Sequence, residues 1–202
     1  MKIRQGFVSN SSSSSFIVAF PKEPKNLDEL KEMLFVEGQN DYPNPYPDHV
    51  SDKELFWPVD MVASIVLNDI NENGQASKKD LVESLSCGWF GYYDDLPGHV
   101  DTYRNTHNDK GCDKKWKTLL KEADGVGGYQ TEEGRILYQK FYDSVDKENK
   151  KRATAIVKRF MEENEGLVFY VFEYSDSDGS LFCSMEHGTL FRRVKHIKTS
   201  YH

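Results

Sequence analysis

The residue types best suited to chemistry gather toward the end of the chain: Asp176, Asp178, Glu186, His187, His196 and His202. Carboxylates and imidazoles are the side chains that hold zinc or manganese. A subset of them around one ion would activate a water for hydrolysis and supply a general base. The α-carboxylate of His202 would add a further oxygen ligand. The spacing matches no metal signature, and an EF-hand loop begun at Tyr174 would end on Met185 where a bidentate acid is needed, so a calcium loop is not expected. Asp176 and Asp178 are also ordinary turn formers. On a strand these two share a face while Glu186 and His187 point apart, so all six reach one ion only if the chain bends.

The second candidate is the run Ser11, Ser12, Ser13, Ser14 and Ser15. Small polar residues let successive backbone N–H groups approach an anion, and their hydroxyls add donors, so a phosphate-holding loop is chemically reasonable. The run has no Walker lysine and no GxGxxG, and a solvated turn or modification site explains it equally. Phosphate held here beside a metal at the other end of the chain would make a divalent-metal-dependent phosphoryl hydrolase or transferase. Cys87, Cys112 and Cys183 are widely separated and odd in number, which excludes a disulfide framework and points to a reducing compartment. None carries the signature of a thiol enzyme, and Cys183 reads as a core residue. The aromatic stretch from Trp89 to Asp95 could stack on a base or anchor a partner, although core packing explains it as well. Arg192, Arg193, Lys195 and Lys198 read as a solvated positive face.

The elements that must position these residues follow from punctuation and periodicity. Phe16–Phe20 is β-branched and aromatic and stops at Pro21, which predicts a buried strand, with Met1–Val8 as a candidate partner. Asn26 and Glu29 open a helix that Gly38 closes. Tyr42–Asp48, with proline at every second position, reads as an extended surface loop. Pro58 suits the first position of a helix running to Asn73-Gly74, and Ser77 with Asp80 opens another. The stretch 87–130 reads as an irregular insertion with a short helical interval near Trp116. From Thr131 helical spacing runs to Gly166, as one long helix or two stacked ones. Leu167–Tyr174 and Leu181–Met185, separated by Ser175–Gly179, read as a hairpin, and His196–Ser200 as a last short strand.

These signals predict one α+β domain over residues 1–202. Its small antiparallel sheet is built from the N-terminal strand and the C-terminal hairpin, packed by helices from the middle of the chain. The 33 acidic and 26 basic residues, net charge −7, favour solubility and do not indicate nucleic acid as a partner. No run of apolar residues is long enough to span a membrane. The apolar stretch after Lys2 and Arg4 is broken by the serines, so no secretory signal is expected and a cytoplasmic location is.

Met1–Asn10 followed by Ser11–Ser15, Phe16, Ile17 and Val18 closely resembles the opening of a group of uncharacterised bacteriophage and bacterial proteins. The segments Phe172–Gly179, Met185–Gly188, His196–Lys198 and His202 resemble the end of the same group. The resemblance implies a viral or virus-associated origin and a host-cell cytoplasmic location. It also suggests that the two ends form one unit, with the serine run facing the Asp/His cluster across a cleft. The leading expectation is therefore an accessory protein that binds a host or viral protein. The metal-dependent phosphoryl enzyme is the alternative and a virion structural component the second alternative.

Overall fold

The fold is α+β, as seen in a computed structural model that describes residues 13–49, 52–86, 91–93 and 110–201. Its strands are β1 (Ser13–Phe20), β2 (Asp41–Pro43), β3 (Phe56–Pro58), β4 (Gly91–Tyr93), β5 (Val168–Ser175) and β6 (Lys195–Tyr201). The helices among the described residues are α1 (Leu27–Leu34), α2 (Val59–Asn73), α3 (Lys78–Ser86), α4 (Lys110–Gly125), α5 (Glu132–Glu163) and α6 (Ser180–His187).

The caps read from sequence form the expected bonds. Asn26 Oδ1 accepts the Glu29 amide at 2.9 Å, and Glu29 reaches back to the Lys25 amide at 3.0 Å. Ser77 and Asp80 exchange amide and side-chain bonds of 2.8 and 3.3 Å. Pro58 is one position earlier than predicted, at the N-cap of α2. The helical pattern after Thr131 is one uninterrupted helix of 32 residues, about 48 Å long at 1.5 Å per residue. The stretch 87–130 is not irregular where it is described, because it contributes β4 and all of α4.

The sheet has the order β4-β6-β1-β5 with antiparallel pairing throughout. Strand β1 is paired on both edges, and Phe16 lies opposite Phe172 on one side and Lys198 on the other. Every residue from Ser14 to Phe20 is buried, because both faces of β1 are covered. A strand buried on two faces reads as a continuous apolar run and not as an alternation. On one face Phe16, Val18 and Phe20 pack with Tyr170, Phe172, Tyr174 and Phe191 against α1 and α2. On the other face Ile17, Ala19 and Ile197 meet Leu81, Val82 and Leu85 of α3 and Ala153, Val157 and Phe160 of α5. The first half of α5 forms a separate small core with α4 around Trp116, Phe141 and Val145. The result is a sheet between two helical layers, with the N-terminal strand and the C-terminal strands in one unit.

Three local expectations are corrected. The hairpin does not form: Leu181–Met185 lies in α6, and the antiparallel partner of β5 is β1. A hairpin strand would have had to pair with the outer edge of β5, where no strand lies among the described residues; the segment instead packs Met185 into the core as a helix. Tyr42–Asp48 is not simply an extended surface loop, since Tyr42 and Asn44 are buried and Pro47–His49 is a 3-10 turn. Serines 13–15 belong to β1, so their backbone groups are taken up by the ladders to β5 and β6 and do not form a loop open to phosphate. Ser11, Ser12, Met1–Val8 and His202 lie outside the described residues.

The tie between α2 and β5 has a pH signature. The Tyr174 hydroxyl donates to Asp69 Oδ2 at 3.1 Å. Burial raises the Asp69 carboxyl to about 6 and nearby Glu72 adds to the rise, while the Tyr174 bond opposes it. A folded-state value above the unfolded one means that the native state holds the proton more tightly. Stability therefore falls as pH rises from about 4 through 6 and stays reduced at neutral pH. Asp69→Asn removes that penalty and keeps an oxygen for Tyr174. The variant should be more stable than the parent at pH 7.5 by about 1 kcal/mol, discounted from the full shift because the carboxyl is only half-buried. The gap should close at pH 4 in urea titrations, and a gap independent of pH would exclude this origin.

Candidate metal centre

The chain leaves β5 through a capped 3-10 turn, Asp176–Asp178, in which the Ser175 side chain accepts the Ser177 amide. Gly179 follows at φ 111°, a conformation that favours glycine, and redirects the backbone into α6. The helix folds back beside the turn it has just left, so its last residues return to Asp176. Adjacent positions on a helix differ by about 100° in direction, and Glu186 and His187 therefore face a common region that a strand would deny them.

Glu186 is fully buried. Its Oε1 accepts the Ser14 hydroxyl at 3.2 Å and its Oε2 accepts the Asp176 amide at 2.9 Å. His187 Nε2 lies 3.5 Å from Glu186 Oε2. Ligand-capable atoms of Asp176, Glu186 and His187 all fall within 4.8 Å of one another. A separation of 3.5 Å is beyond the usual 2.7–3.2 Å of an N–H···O bond. It is close to the roughly 3.4 Å that separates two atoms bound to one tetrahedral zinc.

The β2–β3 segment closes over this corner. Tyr42 Oη donates to the Ser184 carbonyl at 3.1 Å and Trp57 Nε1 to Ser184 Oγ at 3.0 Å. Ser180 Oγ donates to Glu54 Oε1 at 2.5 Å, and Asn44 holds the loop through the Glu54 carbonyl and the Tyr46 amide. So fastened, the segment sets the Tyr46 ring edge-on to His187, with centroids 5.3 Å apart. Burial, then the carboxyls of Glu186 and Asp176, push the Cys183 thiol up. Burial, then Cys183 and Glu186, do the same to the Tyr46 phenol. The raised thiol makes Cys183 a poor nucleophile on its own.

Of the six C-terminal residues singled out from sequence, the structure brings together Asp176, Glu186 and His187. Asp178 is exposed in the 3-10 turn and does not join them. His196 pairs with Val18, four positions along β1 from Ser14 and thus about 13 Å away, and its Nδ1 meets the Val194 carbonyl at 3.0 Å. Ser14 reaches the group through its side chain, so the two ends of the chain do meet there. The positive face is partly structural: Arg193 donates to the Phe35 carbonyl, and Lys198 lies over the Phe16 ring. Cys87 and most of the Trp89–Asp95 stretch lie outside the described residues, and Gly91–Tyr93 forms β4.

Sequence reasoning missed Tyr46 and Cys183 at this corner. Helical spacing in Ser180–His187, bracketed by Gly179 and Gly188, was the signal that could have found Cys183. Compared with protein-family models, with curated proteins and with solved structures, the chain matches none.

Proposed function

We propose that the protein is a divalent-metal-dependent hydrolase or transferase of the phosphoryl class, with zinc or manganese held by Asp176, Glu186 and His187. The observation that carries the reading is the convergence of two carboxyls and one imidazole within 4.8 Å, one of them fully buried. Three protein ligands would leave a coordination position for water, and the ion would supply the Lewis acidity that activates it as a nucleophile. The Ser14 hydroxyl holds Glu186 from behind, as outer hydrogen bonds hold metal ligands. Phosphate contact falls to the open side of the metal, because the amides of serines 13–15 are engaged in the sheet.

The test is elemental analysis of untagged full-length protein, with thermal unfolding and turnover of aryl phosphate mono- and diesters with and without added zinc or manganese. A ligand at a hundred times its dissociation constant should stabilise the fold by about 2.7 kcal/mol. His187→Ala and Asp176→Asn should each abolish both the metal content and the stabilisation. Protein that carries no stoichiometric metal and gains no stability from either ion overturns the reading.

A second reading, an accessory protein that docks on a host or viral partner, is favoured by Val36, Phe56 and Met61. These are large apolar side chains about half exposed around the α1–β3–α2 corner. Recovery of a partner from infected cells that is lost with Phe56→Ser and Met61→Ser supports it. Detection of the chain in purified particles would instead make it a virion component.

A further inference from the structure

We propose that the α4–α5 lobe binds single-stranded nucleic acid, with Lys114, Lys117, Lys121 and Arg135 against its phosphates and the Tyr129 ring stacked on a base. The proposal goes beyond the metal reading and does not depend on it. The chain's net charge of −7 is unevenly distributed. Helix α4 carries five lysines against three acids. Trp116 and Ala123 are buried, with Leu119 and Leu120 packed beside the Trp116–Phe141 core, so this row is the face turned to α5. At about 100° per residue, Lys114, Lys117, Lys121 and Asp124 fall within about 80° of one another outside that row. All three lysines are exposed. Lys115 is engaged elsewhere, donating to Ser144 Oγ at 3.0 Å.

Asp124 ties this strip to an aromatic platform. Its carboxylate accepts the Tyr138 hydroxyl at 2.6 Å, which brings that α5 ring to the lysine side of α4. Tyr129, in the 3-10 turn Gly128–Gln130 between the two helices, lies on Tyr138 with centroids 4.0 Å apart and planes 3° from parallel. Its hydroxyl is 2.5 Å from that of Tyr142. The turn is itself pinned to α5, since a Cβ at Gly134 would strike the Gly128 carbonyl. The Tyr129 ring is therefore held by its neighbours and yet is 55% exposed: Tyr138 covers one face, and no described ring covers the other. A ring already fixed loses little freedom when a base stacks on it. An unpaired base can be splayed out to do so, whereas a base within a duplex cannot. Arg135, exposed and one turn before Tyr138, adds a fourth cation beside the platform. Basic side chains that track a backbone, beside a ring that takes a base, hold single strands without reading their sequence.

Fluorescence anisotropy of a labelled oligothymidine of about ten nucleotides, titrated with full-length protein at roughly 20–200 mM salt, tests this. The protein should bind, and log K should fall against log salt with a slope of about −3, near −0.7 for each of four phosphates. Lys117→Gln combined with Lys121→Gln should make that slope shallower by about 1.4. Tyr129→Ala should weaken binding by about 5- to 150-fold and leave the slope unchanged, the loss expected from one stacked base. Tyr129→Phe keeps the ring and should bind nearly as tightly as the parent. Circular dichroism checks that each variant is folded. Heparin and duplex DNA of the same length should compete poorly with the oligothymidine. Heparin that competes as well as unlabelled oligothymidine, or a folded Tyr129→Ala variant that binds as the parent does, would leave charge attraction alone and overturn the proposal. No binding at the lowest salt overturns it as well.

Discussion

Gly188→Ala should destabilise the protein by about 3 kcal/mol, the upper end of what overpacking costs, and lower the unfolding midpoint by roughly 6–12 °C for a chain of this size. Gly188 follows the last residue of α6 with φ −81°, which any residue can adopt, so the cost comes from space and not from backbone conformation. A Cβ at this position would run into the Tyr42 hydroxyl and the Ser184 carbonyl, with the Tyr42 ring carbon 2.9 Å away. Those two groups are themselves hydrogen-bonded to each other, and the Gly188 amide donates to the same carbonyl. Either α6 must shift or the β2–β3 segment must lift, and lifting it takes Tyr46 off His187. The double variant Tyr42→Phe with Gly188→Ala should recover only part of the loss, because the Ser184 carbonyl and the ring remain in the way. Urea unfolding of the single and double variants measures both effects. A Gly188→Ala midpoint equal to the parent's would show that the contact is not close in solution.

The ends of this fold were readable and the turn between them was not, for a physical reason. Phe16–Phe20 has the continuous apolar composition of a strand covered on both faces, and caps such as Asn26 and Ser77 act over three residues, within reach of local inspection. Leu181–Met185 is different. Its Leu, Phe, Cys and Met suit a strand by composition, and the Ser-Asp-Ser-Asp-Gly before it suits a hairpin turn. What decides for a helix is tertiary: Leu181 and Met185, four apart, both face the core beside Tyr174 and Phe191. Propensity in so short a segment yields to packing. The same error hid the site. Treated as strand neighbours, Glu186 and His187 point apart; as helix neighbours they converge with Asp176, and Cys183 comes onto the face of His187. His196 and Asp178 had the right chemistry but sit where register and turn geometry keep them away. Ser14 was singled out to hold a phosphate through its amide and hydroxyl, and its hydroxyl instead holds Glu186.

Glu186→Ala should remove metal binding and also cost about 4 kcal/mol of stability in metal-free protein. That second effect separates a ligand on the surface from one built into the core. The side chain is fully buried, and it is the acceptor for the Ser14 hydroxyl and the Asp176 amide. Its truncation removes the bonds it accepts from the buried Ser14 hydroxyl and the part-buried Asp176 amide, each worth about 1–3 kcal/mol, and opens a cavity. Glu186→Gln keeps the shape and one oxygen. It should therefore cost much less, on the order of 1 kcal/mol, while still weakening the metal because an amide oxygen replaces a carboxylate. Ser14→Ala alone removes one donor and should cost about 1 kcal/mol. The double variant Ser14→Ala with Glu186→Ala should then be less destabilised than the sum of the singles, since both singles break the same Ser14–Glu186 bond; the shortfall measures the coupling across the two ends of the chain. Guanidinium unfolding of the parent and the four variants in excess chelator gives these differences. Additive losses would mean that Ser14 and Glu186 do not interact in solution, and a Glu186→Ala variant as stable as Glu186→Gln would mean that the carboxyl is not holding β1 and the Asp176 turn together.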